Sequence, residues 1–211
     1  FSIRCGNSWA YDCLLQAGAT LVYGVDVGYG QADWRLRNDP RVILKERTNL
    51  RYMTAAELYG ESPRADLAVV DVSFISLDKV LPALWELLAA PKEAVLLVKP
   101  QFEVGRERVG KKGVVRDSAT QADAIFQVWK AARALGWQEL GLTWSPLLGP
   151  AGNIEYLLWL GIDREPEPDE SAILSVGVAP VGAGCANEEG VVKERILEVA
   201  KAAARELVNR L

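Results

Sequence analysis

The sequence predicts an α/β protein: a doubly wound, mostly parallel sheet that finishes in an antiparallel closing strand. Short apolar runs alternate with amphipathic stretches along most of the chain. The runs are near-continuous rather than alternating, as in strands covered on both faces. The last two runs follow each other with no helix between them, which suits an antiparallel pair rather than a parallel crossover.

The first run, residues 19–27 (ATLVYGVDV), is β-branched and apolar, and Gly28 and Gly30 follow its acid. Residues 41–44 form a shorter run after the Asn38-Asp39-Pro40 turn. Residues 66–72 (DLAVVDV) and Glu93–Val98 (EAVLLV) complete the parallel set, the latter stopping at Lys99-Pro100. Between them, residues 11–16 predict a helix ended by Ala17-Gly18, and residues 77–89 carry an i, i+3/i+4 stripe of Leu77, Val80, Leu81, Leu84, Leu87 and Leu88. Pro82 is tolerated only near a first turn, so that helix proper begins after Leu77. Residues 120–135 place Ala122, Ile125, Phe126, Trp129 and Ala132 on one face, with Asp117 and Ser118 as caps. After Gly136-Trp137 come the paired strand candidates, 139–144 and 155–160, separated by SPLLGPAGN. Residues 162–189 are rich in Pro, Glu, Gly and Ala and read as a linker. Residues 190–211 return to helical periodicity through Val192, Ile196, Val199, Ala203, Leu207 and Leu211, the pattern of an amphipathic helix packed on the domain or a partner. The expected organisation is therefore a domain over 1–161, a linker over 162–189 and a C-terminal helix over 190–211.

Composition narrows the chemistry. The 211 residues suit one domain with a short appendage, and 50% hydrophobic content supports a real core. Lys and Arg number 24 against 28 Asp and Glu, a net charge of −4, so bulk charge does not coat nucleic acid and only a local basic patch would bind it. There is no histidine, which excludes Ser-His-Asp and Cys-His nucleophiles and imidazole-bound zinc. Cys5, Cys13 and Cys185 have no CxxC spacing and read as reduced thiols of a cytoplasmic protein. No apolar run reaches the ~20 residues that cross a bilayer, and the first residues lack the order of a secretory signal.

Ligands of open α/β sheets bind beyond the carboxyl ends of the strands, so the residues closing the runs matter most. Asp26 closes the first, where an acid either accepts hydrogen bonds from ribose hydroxyls of an adenosine-containing cofactor or caps a turn. Asp71 and Lys99 close the third and fourth. On neighbouring strands they would face one crevice, as a structural ion pair or as a lysine placed to take a proton from an alcohol. Glu155 opens the last run, and an antiparallel strand there would bring it to the same sheet edge. The loop after Lys99 carries Arg106, Arg108, Lys111, Lys112 and Arg116 among Gly105, Gly110 and Gly113, a flexible, cationic stretch suited either to gripping phosphates or to lying solvated at the surface.

The runs DCLLQAGA, VYGVDVGYGQ, ERTNLRYM, DLAVVDVSFISL, LLVKPQFEVGRERVGKKGVVRD and GPAGNIEYLLWL resemble the TlyA family, the so-called hemolysin A proteins, over roughly residues 12–161. These are S-adenosylmethionine-dependent ribosomal RNA 2′-O-methyltransferases with an FtsJ-like fold. The resemblance implies a Rossmann-like methyltransferase domain, ribosomal RNA or ribosomal subunits as partner, S-adenosylmethionine as cofactor, and neither metal nor membrane. It implies that Asp71, Lys99 and Glu155 belong to a Lys-Asp-Lys-Glu tetrad around the ribose 2′-hydroxyl, with Lys99 as base or hydroxyl-orienting group and Asp71 also facing the cofactor. Asp26 would hold the cofactor ribose, with Thr48 or Asn49 near the adenine. Two departures stand out. The tetrad's first lysine and an S4-like RNA-binding domain lie upstream of this sequence in the family. The family's cofactor loop, close to DVGASTGGFTDCLLQ, reads SIRCGNSWAYDCLLQ here, with Ser2, Arg4 and Trp9 replacing Asp, Gly and Gly. Arg4 and Trp9 would obstruct the cofactor, and Gly6 offers partial relief in a shifted register. The rival readings are a non-catalytic RNA- or ribosome-associated module and a cytolysin, the latter disfavoured by the acidic balance. A dinucleotide-dependent dehydrogenase fits Asp26 but not the closing pair.

Overall fold

The computed structural model describes residues 2–5, 9–162 and 188–208. A seven-stranded sheet organises them, in the order β3-β2-β1-β4-β5-β7-β6. Its parallel strands are β1 (Ser2–Cys5), β2 (Val22–Val25), β3 (Val42–Lys45), β4 (Leu67–Val70) and β5 (Glu93–Val98). β7 (Tyr156–Gly161) runs antiparallel to β5 on one side and to β6 (Gln138–Trp144) on the other. Each apolar run contributes a strand, most of them no longer than the run itself, while β6 extends one residue beyond it to Gln138. β1 is the strand that periodicity does not predict: SIRC has no apolar pattern, and its backbone pairs with β2 and β4 on either side.

The helices cover both faces. α1 (Trp9–Gln16) packs Tyr11 and Leu15 against Val22 and Leu36. α2 (Trp34–Arg37) and α3 (Ala55–Tyr59) are short elements with local caps: Asp33 accepts from Arg35 N, and Thr54 and Glu57 form a reciprocal capping box. The predicted helix over 77–89 divides into a 3-10 turn (Leu77–Lys79) and α4 (Leu81–Leu87), with Pro82 in the first helical turn. All six residues of its apolar stripe are buried. α5 (Pro100–Glu103) follows Lys99 directly. α6 (Ser118–Ala134) starts at the cap Asp117 and buries Ala122, Ile125, Trp129 and Ala132.

The C-terminal helix α7 (Glu188–Val208) lies on α6 and β6. Val192, Ile196, Ala203 and Leu207 are buried in the main core, as is Ala200, while Val199 is partly covered. Burying a residue such as Ile196 contributes about 2 kcal/mol. Arg195 adds a two-pronged hold, its Nη2 donating to both carboxylate oxygens of Glu139 on β6 at 2.6 and 2.7 Å. The predicted linker falls mostly at 163–187, outside the described residues, as do Cys185 and Leu211. Among the described residues no helix is long and apolar enough to cross a membrane.

Candidate active site

β4 and β5 run side by side, Val70 opposite Leu96, so Asp71 and Lys99 emerge from the same edge. β7 comes back along β5 with Tyr156 opposite Val98, which delivers Glu155 to that edge at the start of its strand. Lys99 Nζ lies 2.6 Å from Asp71 Oδ1, with side chains only 11% and 9% exposed. A second donor on Nζ reaches Ser73 Oγ at 2.9 Å, fixing the ammonium from two directions. Burial raises the proton affinity of the Glu155 carboxyl above the usual carboxylate range; Asp71 reinforces this and the Lys99 charge opposes it. Gly149 makes room for that carboxyl, since a β-carbon there would stand 2.5 Å from Glu155 Oε1.

These groups line a cleft of about 1300 Å³. Phe74 stands on its rim, 90% exposed, in a left-handed backbone conformation (φ 66°), with its ring 5.1 Å from that of Phe102. Below it, Glu103 ties α5 to the turn after β4, accepting from Ser76 Oγ at 2.6 Å and Leu77 N at 3.1 Å. Burial pushes the Glu103 carboxyl up to about 7.

The basic loop is tied to its surroundings by hydrogen bonds at Gly113 and Val115, while its five cations are exposed. It contains two 3-10 turns, Arg106–Arg108 and Lys111–Gly113. Buried Asn153 bridges it to the β6–β7 connection, accepting from Val115 N and donating to Gly113 O, both at 2.9 Å. Gln121 on α6 donates to Val115 O at 2.7 Å and accepts from Tyr156 OH at 2.7 Å, so β7, α6 and the loop share one buried polar network. Arg106 lines the main cleft. Lys111, Lys112 and Arg116 surround a smaller cavity beside it. Arg108 borders that cavity but is ion-paired with Asp123. Sequence reading missed Ser73, Asn153 and Gln121. Gln121 carried a signal, being a polar residue beside the apolar face of α6, where burial demands partners.

At the other half of the edge, Asp26 O accepts from Thr48 N at 2.9 Å, so the β2 and β3 tips adjoin. Asp26 Oδ1 accepts from Gly28 N at 2.7 Å, which makes Asp26 a turn residue; Oδ2 has no partner among the described residues and fits a ribose hydroxyl. Thr48 Oγ1 donates to Glu46 O, and Asn49 Oδ1 accepts from Arg51 N. Arg4 lies within β1 and Trp9 opens α1. Gly6 and the rest of the connection at 6–8 lie outside the described residues.

A doubly wound sheet with a reversed penultimate strand and an acid at the β2 tip defines the methyltransferase fold, shared with a solved methyltransferase-like protein of Listeria monocytogenes at 10% identity and a TM-score of 0.53. Residues 7–162 match the FtsJ-like methyltransferase family, and the chain belongs to it. The chain is 51% identical over 149 residues to the 16S/23S rRNA (cytidine-2′-O)-methyltransferase TlyA of Mycobacterium tuberculosis, covering 71% of this chain and 54% of that protein. A solved structure of a candidate hemolysin from Streptococcus thermophilus is 37% identical with a TM-score of 0.80, covering 99% of this chain and 68% of the other. The chain thus spans about half the length of the curated relatives it matches, 54% and 55% for two of them.

Proposed function

We propose that this chain is the catalytic domain of an RNA ribose 2′-O-methyltransferase, using S-adenosylmethionine and acting on ribosomal RNA or ribosomal subunits in the cytoplasm. Residues 1–161 form the methyltransferase domain, and the segment that follows links it to the C-terminal helix, which begins at Glu188 rather than at 190. The observation that carries the reading is the meeting of Asp71, Lys99 and Glu155 at one lip of the sheet, with Lys99 Nζ 2.6 Å from Asp71.

A ribose 2′-hydroxyl is a weak acid, so its oxygen attacks well only with a proton acceptor at hand. Lys99 Nζ, held between Asp71 and Ser73, is the group placed to take that proton or to orient the hydroxyl, with the Asp71 carboxylate supporting its charge. Ser73 keeps the side chain aimed. Glu155 faces the same space and orients the hydroxyl, while the walls of the cleft hold the ribose in line. S-adenosylmethionine, when bound, supplies an electrophilic methyl group. Asp26 would hold its ribose and Thr48 or Asn49 would lie near the adenine, with Asp71 and Gly6, the latter outside the described residues, as the remaining cofactor candidates. Arg106, Arg108, Lys111, Lys112 and Arg116 take RNA phosphates.

Lys99→Ala tests the assignment. Transfer of radiolabelled methyl to ribosomal RNA should fall by a factor of about 10²–10⁴ while S-adenosylhomocysteine still binds. Undiminished transfer would remove Lys99 from the chemistry.

Arg4 and Trp9, standing where the family's glycines are expected, favour one other reading, a non-catalytic RNA- or ribosome-associated module. Calorimetric titration with S-adenosylhomocysteine separates the two. Saturable heat supports the enzyme, and none at high protein concentration supports the module.

A further inference from the structure

Beside the main cleft is an open pocket of about 390 Å³ lined by the segment 108–117. Its cations are Lys111, Lys112, Arg116 and Arg108, and its acid is Asp117. That acid is turned onto the start of α6, accepting from Thr120 N at 2.8 Å and Thr120 Oγ1 at 2.7 Å. Lys111, Lys112 and Arg116 are exposed and have no acidic partner among the described residues. A short ring of backbone, closed by Gly110 N donating to Val114 O at 3.1 Å, presents the two lysines together. A side chain at Gly110 would break that closure, its β-carbon falling 2.7 Å from Val114 O. No aromatic side chain lines the cavity, so it suits a compact anion rather than a base.

Arg108 is held differently. Its Nη2 donates to Asp123 Oδ2 at 2.7 Å and to Thr120 Oγ1 at 3.2 Å. The other oxygen of Asp123 holds Lys193 Nζ, from α7, at 3.0 Å. One carboxylate therefore serves two cations from different elements, and if Arg108 turned away Lys193 would still neutralise it. That arrangement lets Arg108 exchange Asp123 for a phosphate without leaving a bare charge behind.

The geometry points to a pocket for a backbone phosphate of RNA, with Asp123 acting as an internal counter-ion that limits how much of the Arg108 charge reaches it. This inference rests on the RNA-methyltransferase reading and deepens it by locating a phosphate subsite and its regulator. Phosphate contacts position the strand without reading its sequence, which is the task expected next to a cleft that must align one ribose.

Fluorescence anisotropy with a short labelled single-stranded RNA tests it, across roughly 50 to 200 mM salt. Asp123→Asn should tighten binding about threefold at the low end, the gain fading as salt screens it. Lys193→Met should weaken binding about twofold, because Asp123 then opposes Arg108 alone. Replacing Lys111 and Lys112 together by Ala should make the slope of log affinity against log salt shallower by about one. In an Arg108→Gln background the gain from Asp123→Asn should shrink, an outcome that a purely structural role for Asp123 does not produce. Unchanged or weaker binding by Asp123→Asn, or an unchanged slope in the double lysine variant, overturns the pocket. S-adenosylhomocysteine titrations on the same samples separate the two levels. Cofactor and RNA binding by the parent protein, with variants indistinguishable from it, sinks the pocket alone. A parent protein that binds neither sinks the methyltransferase reading as well.

Discussion

The two halves of the functional edge hold their polar groups in opposite ways. At the tips of β4, β5 and β7 the partners are remote in sequence. Lys99 reaches back 26 positions to Ser73, and Glu155 enters from a strand of opposite direction. At the tips of β2 and β3 the side-chain bonds of the candidate residues are local, Asp26 with Gly28, Thr48 with Glu46 and Asn49 with Arg51 each spanning two positions, while bonds such as Thr48 N to Asp26 O and Gly30 N to Glu46 Oε1 join the two loops. The second half is also open, with Tyr29 65% and Trp34 67% exposed and the Arg47 guanidinium 4.5 Å from the centre of the Tyr29 ring. The difference teaches that the proposed proton chemistry depends on sheet topology, whereas the candidate side chains of the proposed cofactor side are set by local turns.

The largest test of this contrast is Gly149→Ala. The added methyl meets Glu155 Oε1 at 2.5 Å, so the carboxyl must move. Methyl transfer should drop about a hundredfold, in keeping with the sensitivity of such sites to small displacements. S-adenosylhomocysteine affinity should stay within about twofold of the parent. An equal loss of cofactor binding would show that the halves are not separable.

A smaller effect concerns stability. The Glu103 carboxyl is pushed up to about 7 from an ordinary 4.5, so the folded protein holds this proton more tightly than the unfolded chain does. Its contribution is therefore complete below about pH 4.5 and lost as pH rises through 7, at most about 3 kcal/mol. Urea unfolding at pH 5 and pH 8 should show that loss in the parent protein and a flatter profile in Glu103→Gln. Identical pH profiles would mean that the buried carboxyl does not strain the catalytic half.

The smallest expected change is on the local side. Asp26→Ala removes one acceptor for the cofactor ribose and should weaken S-adenosylhomocysteine about tenfold by calorimetry, with little change in melting temperature. A large loss of stability instead would make Asp26 chiefly a structural turn residue.

Much of this was legible in the letters, for identifiable reasons. Consecutive apolar runs with no intervening helix signalled the reversed strand, and the reversal in turn placed Glu155 beside Asp71 and Lys99. Pro82 signalled that the helix after Leu77 would start late, as it does. β1 was not legible, because four residues of mixed polarity become a strand only through the neighbours that pair with them on both sides. The short helices α2, α3 and α5 were missed for a related reason: four or five residues are too few to show a repeating apolar face. Arg108 looked like any other cation in its loop. Its bond to Asp123 joins positions 15 apart on a different element, which no local pattern encodes.

The sheet's two borders carry a last lesson, about self-association. β6 has the long helix α7 lying against it, whereas β3 carries the four-residue α2 and ends the sheet at four residues, VILK. Arg41, ion-paired with Asp39, and Lys45 bracket that border, and its half-open Ile43 is 36% exposed. So short a margin gives a second molecule little length to zip onto, which limits edge-to-edge pairing between copies of the protein.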